Sequence, residues 1–315
     1  MKVKRVIVVL GPPISVFTEL LLKFFFSKKI LTKQIIIIGN LNLFLKHKKK
    51  GNKKLKINII KNYNELKNEK INFIDIDCGN IKSLKKVNQY IVKCFALALN
   101  ILKKDKKAVL FNGPISKRDF LNKKYLGMTE YLAKKSRSKK PVMLIYNKKF
   151  SVSPVTTHLP IKYVSKHLNQ RKIINNVKEI DFFYRKKLNH KPKFAILGLN
   201  PHCESIENHS EEERIIIPAI KFLKSKKKLD VEGPFSADTF FIKKNLNKFN
   251  VVIGMYHDQV IAPFKTLYNF DAINITLGLP FIRVSPDHGP NIPMFDKNKS
   301  DASSVFCAIN FFNQI

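Results

Sequence analysis

Short β-branched runs punctuate this chain, and the stretches between them carry apolar residues at helical spacing. "VKRVIVVLG", "QIIIIGN", "KINII", "NFIDID", "KAVLFNG", "PVMLIYN", "FAILGLN", "NVVIGMY" and "AINITLG" read as strands, several of them buried on both faces. Residues 83 to 104, "SLKKVNQYIVKCFALALNILKK", repeat apolar side chains at helical spacing, as do "EERIIIPAIKFLKSKK" and the C-terminal "DASSVFCAINFFNQI". Alternation of this kind predicts an α/β fold on a mainly parallel sheet. At 315 residues the chain can build one large domain or two smaller ones with real cores.

In such folds ligands collect beyond the carboxyl ends of the strands, and several polar motifs fall there. "NGPISK" (112–117) follows "AVLF", "TTHLP" (156–160) follows "SVSPV", "NPH" (200–202) follows "FAILGL", and "YHDQ" (256–259) follows "VVIGM". A lone histidine after a strand is usually a turn or capping residue. His158, His202 and His257 occupy three separate strand-end loops, however, and three imidazoles with open positions suit a divalent metal that leaves room for substrate. Farther on, Lys265, Asn274 and Arg283 recur at nine-residue intervals. Arg can grip a carboxylate or phosphate bidentately and Lys acts as a point charge, so these are candidate contacts for an anionic substrate. A surface lysine is the plain alternative for Lys265; Arg283 follows the apolar "LGLPFI", where a surface role fits less well.

Charge points elsewhere at first sight. Lys and Arg total 59 against 23 Asp and Glu, a net +36, which could serve a polyanion partner. The excess is almost all lysine, spread along the chain, and comes with heavy use of Ile, Asn and Phe and no Trp. Those residues share A/T-rich codons, so the base composition of a genome accounts for the bias and no nucleic-acid partner is expected. Cys78, Cys94, Cys203 and Cys307 form no CxxC, which argues against a disulfide framework or a Cys-based zinc site and fits a reducing compartment. The N-terminal apolar run, Val6 to Leu10, is too short for a signal-peptide core, and no stretch approaches the ~20 residues of a transmembrane helix. A soluble cytoplasmic chain without a membrane partner is the expectation.

"NGPISK", "TTHLP", "GLNPH", "GPFSADT", "YHDQ", "NITLGLPFIR" and "DHG" together resemble the 4-hydroxythreonine-4-phosphate dehydrogenase family of pyridoxal-phosphate biosynthesis; they span residues 112 to 289 in family order. The resemblance implies a two-domain α/β/α sandwich like that of isocitrate and isopropylmalate dehydrogenases. One domain would comprise residues 1–125 plus 285–315, the other 126–284, which would carry most of the metal and substrate residues. It implies a homodimer with active sites at the subunit interface. It also implies oxidation of 4-phosphooxy-L-threonine with NAD or NADP, followed by decarboxylation to 3-amino-2-oxopropyl phosphate. By motif, His158, His202 and His257 would be the catalytic centre, holding one zinc, magnesium, manganese or cobalt ion; Thr129, Lys265, Asn274 and Arg283 would contact substrate. No GxGxxG follows a strand, so the sequence does not choose between NAD and NADP or name cofactor contacts.

The chain departs from the family at identifiable places. The family's "GHTE" is "GMTE" here, with Met128 at the substrate-contacting position, and a thioether can neither donate a hydrogen bond nor carry a proton. The Gly-rich "GEPAGIGPE" has become "GPPISVFTE" (11–19), and "CESIENHSEEE" replaces the Gly-rich stretch after "NPH". Two expectations follow: a working dehydrogenase, or a degenerate relative that keeps metal binding with weak or no turnover.

Overall fold

The computed structural model describes residues 2–27, 30–48, 55–68, 70–115, 125, 127–138, 140–204, 209–287, 289 and 291–315. The chain divides into two compact units, Met1–Arg137 with Phe270–Ile273 and Leu279–Ile315, and Ser138–Asn269 with Asn274–Gly278. Helix Met128–Lys135 falls in the first unit, whose core its Met128, Tyr131 and Leu132 join.

In the first unit, strands β1 (Arg5–Val9), β2 (Gln34–Gly39), β3 (Ile57–Ile59), β4 (Ile71–Asp75) and β5 (Ala108–Asn112) lie in the order β3-β4-β2-β1-β5. All pair in parallel, Arg5 standing between Gln34 and Ala108. Alternation along the strands sends Ile7, Val9, Ala108 and Leu110 to one face. There they meet Tyr90, Ile91, Cys94, Phe95 and Ala98 of helix Leu84–Lys104. Ser83 caps that helix by accepting from the Lys86 amide at 3.4 Å, and Lys103 and Lys104 close its last turn, where cations favour the helix dipole. On the other face Phe111 packs edge-on against Phe17 of helix Phe17–Phe26 and Phe312 of helix Ser303–Gln314, at 5.3 and 5.4 Å between ring centroids. A strand buried on both faces needs apolar residues at successive positions, which is why β1 and β2 read as Ile/Val runs.

The second unit orders its strands differently. Its strands β6 (Val142–Tyr146), β7 (Ser151–Thr156), β8 (Phe194–Leu197), β9 (Val231–Phe235), β10 (Val251–Tyr256) and β11 (Ile273–Leu277) follow the order β11-β6-β7-β10-β8-β9. The β7–β10, β10–β8 and β8–β9 ladders are parallel, and the β6–β7 ladder is antiparallel. Helix Gln170–Lys187 sets its Asn176 and Tyr184 against the β7 hydroxyls, with Ser153 Oγ donating to Asn176 at 3.0 Å and Ser151 and Tyr184 sharing a hydrogen bond at 2.9 Å. Helix His257–Tyr268 packs on β7 and β10, where Phe264 stacks near Phe150. The last strand, β12 (Arg283–Pro286), belongs to the first unit and runs parallel beside β5. No helix among the described residues is long and apolar enough to cross a membrane.

Candidate active site

The carboxyl ends of β7 and β10 form the centre of the candidate site. Thr156 closes β7 in register with Tyr256, and its hydroxyl donates to the Met255 carbonyl at 2.7 Å. Past Tyr256 the chain enters helix His257–Tyr268 with no intervening loop. Gly254 permits the tight return: a Cβ there would meet Val260 Cγ1 at 2.4 Å, so a side chain would push the first helical turn off its strand. These two strand ends bring His158 and His257 together, with ring centroids 5.6 Å apart and planes inclined by 39°. That separation lies within the reach of two imidazoles bonded to one ion at about 2.1 Å. His257 Nδ1 lies 2.7 Å from Asp258 Oδ1, which places the ring proton on Nδ1 and leaves the Nε2 lone pair available to a metal.

His202 is placed differently. It lies in the Pro201–Cys203 turn after β8, with a left-handed backbone (φ 55°) and its side chain 73% exposed. Its Nδ1 is 3.9 Å from Asp238 Oδ2, too far for a hydrogen bond. Among the described residues no three His, Cys, Asp or Glu side chains converge on a point that could hold a metal ion. The structure thus brings two of the three expected ligands together and leaves the third on its own loop.

That loop is held from below. Glu212 accepts from the Leu199 and Asn200 amides at 2.7 and 2.9 Å, and from Asn200 Nδ2 at 2.8 Å. The neighbouring Glu211 also accepts from Asn200 Nδ2, at 2.9 Å, and the Ser165 and Asn200 hydrogen bonds hold its carboxyl below the ordinary glutamate value. Both acids begin or precede the π-helical turn Glu212–Ile216, which leads into helix Ile217–Lys227. Lys265 lies eight residues beyond His257 on one helix, about 12 Å along its axis. Asn274, on β11, keeps its Oδ1 buried without a hydrogen-bond partner among the described residues.

The remaining candidates belong to the first unit. Arg283 opens β12 and is only 4% exposed. Its Nε donates to Asn112 Oδ1 at 2.7 Å, and Asn112 Nδ2 donates to the Gly113 carbonyl at 2.7 Å. Burial lowers the guanidinium to about 10 while the Glu130 carboxylate pulls it back up, so Arg283 stays charged at neutral pH. Thr129, next to Glu130 in sequence, is buried in helix Met128–Lys135. Met128 is 9% exposed and belongs to an apolar cluster with Ile115, Tyr131 and Leu132. Sequence reasoning quoted "NGPISK", "GMTE" and "YHDQ" without singling out Asn112, Glu130 or Gln259. The signal available was that each is a further polar residue of a quoted motif: Asn112 ends β5, Glu130 follows Thr129, and Gln259 stands two residues after His257. Lys117 of "NGPISK" and His288 of "DHG" lie outside the described residues.

Two α/β units, each with strand-end polar clusters, define the class: an α/β/α protein with the isocitrate-dehydrogenase type of fold. An isocitrate dehydrogenase from Methylococcus capsulatus superposes with a TM-score of 0.52 over 98% of this chain and 84% of its own at 8% identity, a likeness of fold alone. The family model "Pyridoxal phosphate biosynthetic protein PdxA" matches residues 31–312, and the chain belongs to that family. A 4-hydroxythreonine-4-phosphate dehydrogenase from Sulfurihydrogenibium sp. is 36% identical over 312 residues, covering 97% of this chain and 96% of the relative. The solved structure of 4-hydroxythreonine-4-phosphate dehydrogenase from Klebsiella pneumoniae is 26% identical with a TM-score of 0.80, covering 98% of each chain.

Proposed function

We propose that this chain is an active oxidoreductase of pyridoxal 5'-phosphate biosynthesis that oxidises 4-phosphooxy-L-threonine with NAD or NADP. The resulting β-keto acid then loses carbon dioxide to give 3-amino-2-oxopropyl phosphate. Family membership over most of the chain supports the reaction. The observation that carries the site is the pairing of His158 and His257 at neighbouring strand ends, in the two motifs that the resemblance assigns to metal.

His158, His202 and His257 would hold one divalent ion, zinc, magnesium, manganese or cobalt. When bound, the ion would acidify the substrate hydroxyl and the nicotinamide would accept the hydride. The protein's own part is positioning. Asp258 keeps the His257 proton on Nδ1. Lys265 and Arg283 neutralise the phosphate and carboxylate, and Asn112 holds the Arg283 fork in one orientation. The buried Asn274 Oδ1 is an acceptor suited to a substrate N–H or O–H group, and the Thr129 hydroxyl supplies a further polar contact. A homodimer with interface active sites, working in the cytoplasm, completes the reading.

One observation favours the second reading, a degenerate relative with weak or no turnover. Met128 is packed into an apolar cluster, where it offers substrate no donor and no proton. The two readings separate with substrate labelled with 13C in its carboxylate: an active enzyme releases labelled carbon dioxide in step with NAD(P)H. Absence of both from folded protein would establish the degenerate reading.

A further inference from the structure

A buried carboxylate is expensive unless charge or hydrogen bonds satisfy it, and Glu212 is only 1% exposed. Its three donors, two backbone amides and one side-chain amide, all belong to Leu199 and Asn200, the residues immediately before Pro201 and His202. Gln259 ties the root of that same loop to the His257 turn. Its Nε2 donates to the Gly198 carbonyl at 2.7 Å, and its Oε1 accepts from the Met255 amide at 2.7 Å. The loop folds closely over its root: a Cβ on Gly198 would stand 2.7 Å from Cys203 Sγ and 3.0 Å from Glu212 Oε1. Backbone at the end of β8, the end of β10 and the start of the His257 helix is thereby joined through two side chains.

We propose that Glu212 and Gln259 are positioning residues that hold the His202 loop against the His257 turn, so that these histidines present their nitrogens in a set orientation to a divalent ion. The proposal rests on the assignment of His158, His202 and His257 to that ion. Neither residue touches the ion or substrate. Glu212 sets the loop's conformation, and Gln259 sets its place relative to β10. Partners that orient metal-ligating histidines typically change metal affinity 10–100-fold when removed.

Cobalt(II) titration of the metal-stripped full chain, followed by its visible ligand-field bands, tests this without turnover. Glu212→Gln keeps one acceptor oxygen for the two amides but turns an N–H group toward Asn200 Nδ2. Gln259→Met keeps the length and removes both hydrogen bonds. Each variant is expected to bind cobalt about 10–100-fold more weakly, with shifted bands. The control is Asn72→Ala, which removes an equally buried polar bracket in the first unit, where Asn72 donates to the carbonyls of Ile35 and Lys67. It is expected to lower the melting temperature and leave cobalt binding unchanged. Wild-type affinity and spectrum in both folded site variants would overturn the proposal, as would equal weakening by Asn72→Ala. A wild-type chain that takes up no cobalt would sink the metal assignment itself and the proposal with it, an outcome read from the wild-type arm alone.

Discussion

Met128→His is the substitution in which stability and function should move in opposite directions. The methionine is 9% exposed and packed with Ile115, Tyr131 and Leu132. An imidazole in that environment gives up apolar contact and buries a polar ring, which costs about 1–3 kcal/mol when its partners are incomplete. Taking about 2 kcal/mol and about 2–4 °C per kcal/mol, the melting temperature should fall by roughly 4–8 °C. A positioned acid–base group is worth ~10²–10⁴ in rate, so even partial recovery should raise kcat/KM by about 10²-fold. Thermal melts and initial rates of NAD(P)H formation, on the same preparations, measure both. A folded variant that is destabilised as expected but turns over no faster would refute the idea that this position limits rate. A variant as stable as the parent would refute the burial argument.

Further outcomes follow from the contacts at Arg283 and Asp105. Arg283→Met removes the donor to the buried Asn112 Oδ1. It should destabilise by about 1–3 kcal/mol in denaturant melts and raise KM by roughly 10–10²-fold through loss of charge-assisted anion contacts. Arg283→Lys should recover little of the KM effect, because a point charge cannot reproduce the fork. At Asp105, burial alone would raise the carboxyl, but the Tyr63 hydroxyl, the Lys107 amide and the Arg5 guanidinium at 2.6 Å outweigh it and hold it below the ordinary aspartate value. A depressed folded value stabilises above the unfolded pKa and is lost as pH falls through the folded one. Asp105→Asn should therefore cost about 1 kcal/mol at neutral pH, discounted for solvent screening, with the difference from wild type starting to shrink as pH falls below about 4, the unfolded carboxyl's range, and vanishing only below the depressed folded value. Melts across pH check both the sign and the window.

The strands that could be read from sequence were those buried on both faces, such as β1 and β2, because unbroken Ile/Val runs have few other uses. Strand β7 is also central, yet it reads "SVSPVT". Its Ser151 and Ser153 hydroxyls are buried against Tyr184 and Asn176, partners far away in sequence, and Pro154 weakens the strand signal. Strand β9, "VEGPF", is half-exposed and interrupted by Gly and Pro, and β12 is a four-residue "RVSP". Within the site, His158 and His257 stood out as histidines at strand ends, and the fold makes them neighbours. The Arg283–Asn112 bond spans 171 residues, so no spacing rule could have disclosed it. Glu212 was hidden differently: in "SEEER" it looks like any acid preceding a helix, and only the burial of one carboxylate distinguishes it from its neighbours.

Metal add-back tests the central claim most directly. Protein stripped of metal, then supplied in turn with zinc, cobalt, manganese or magnesium, is assayed for NAD(P)H formation from 4-phosphooxy-L-threonine, beside a His257→Ala variant treated identically. The account predicts no turnover after stripping, recovery with at least one ion, and no recovery in His257→Ala. Undiminished turnover by the stripped protein or by His257→Ala would contradict it.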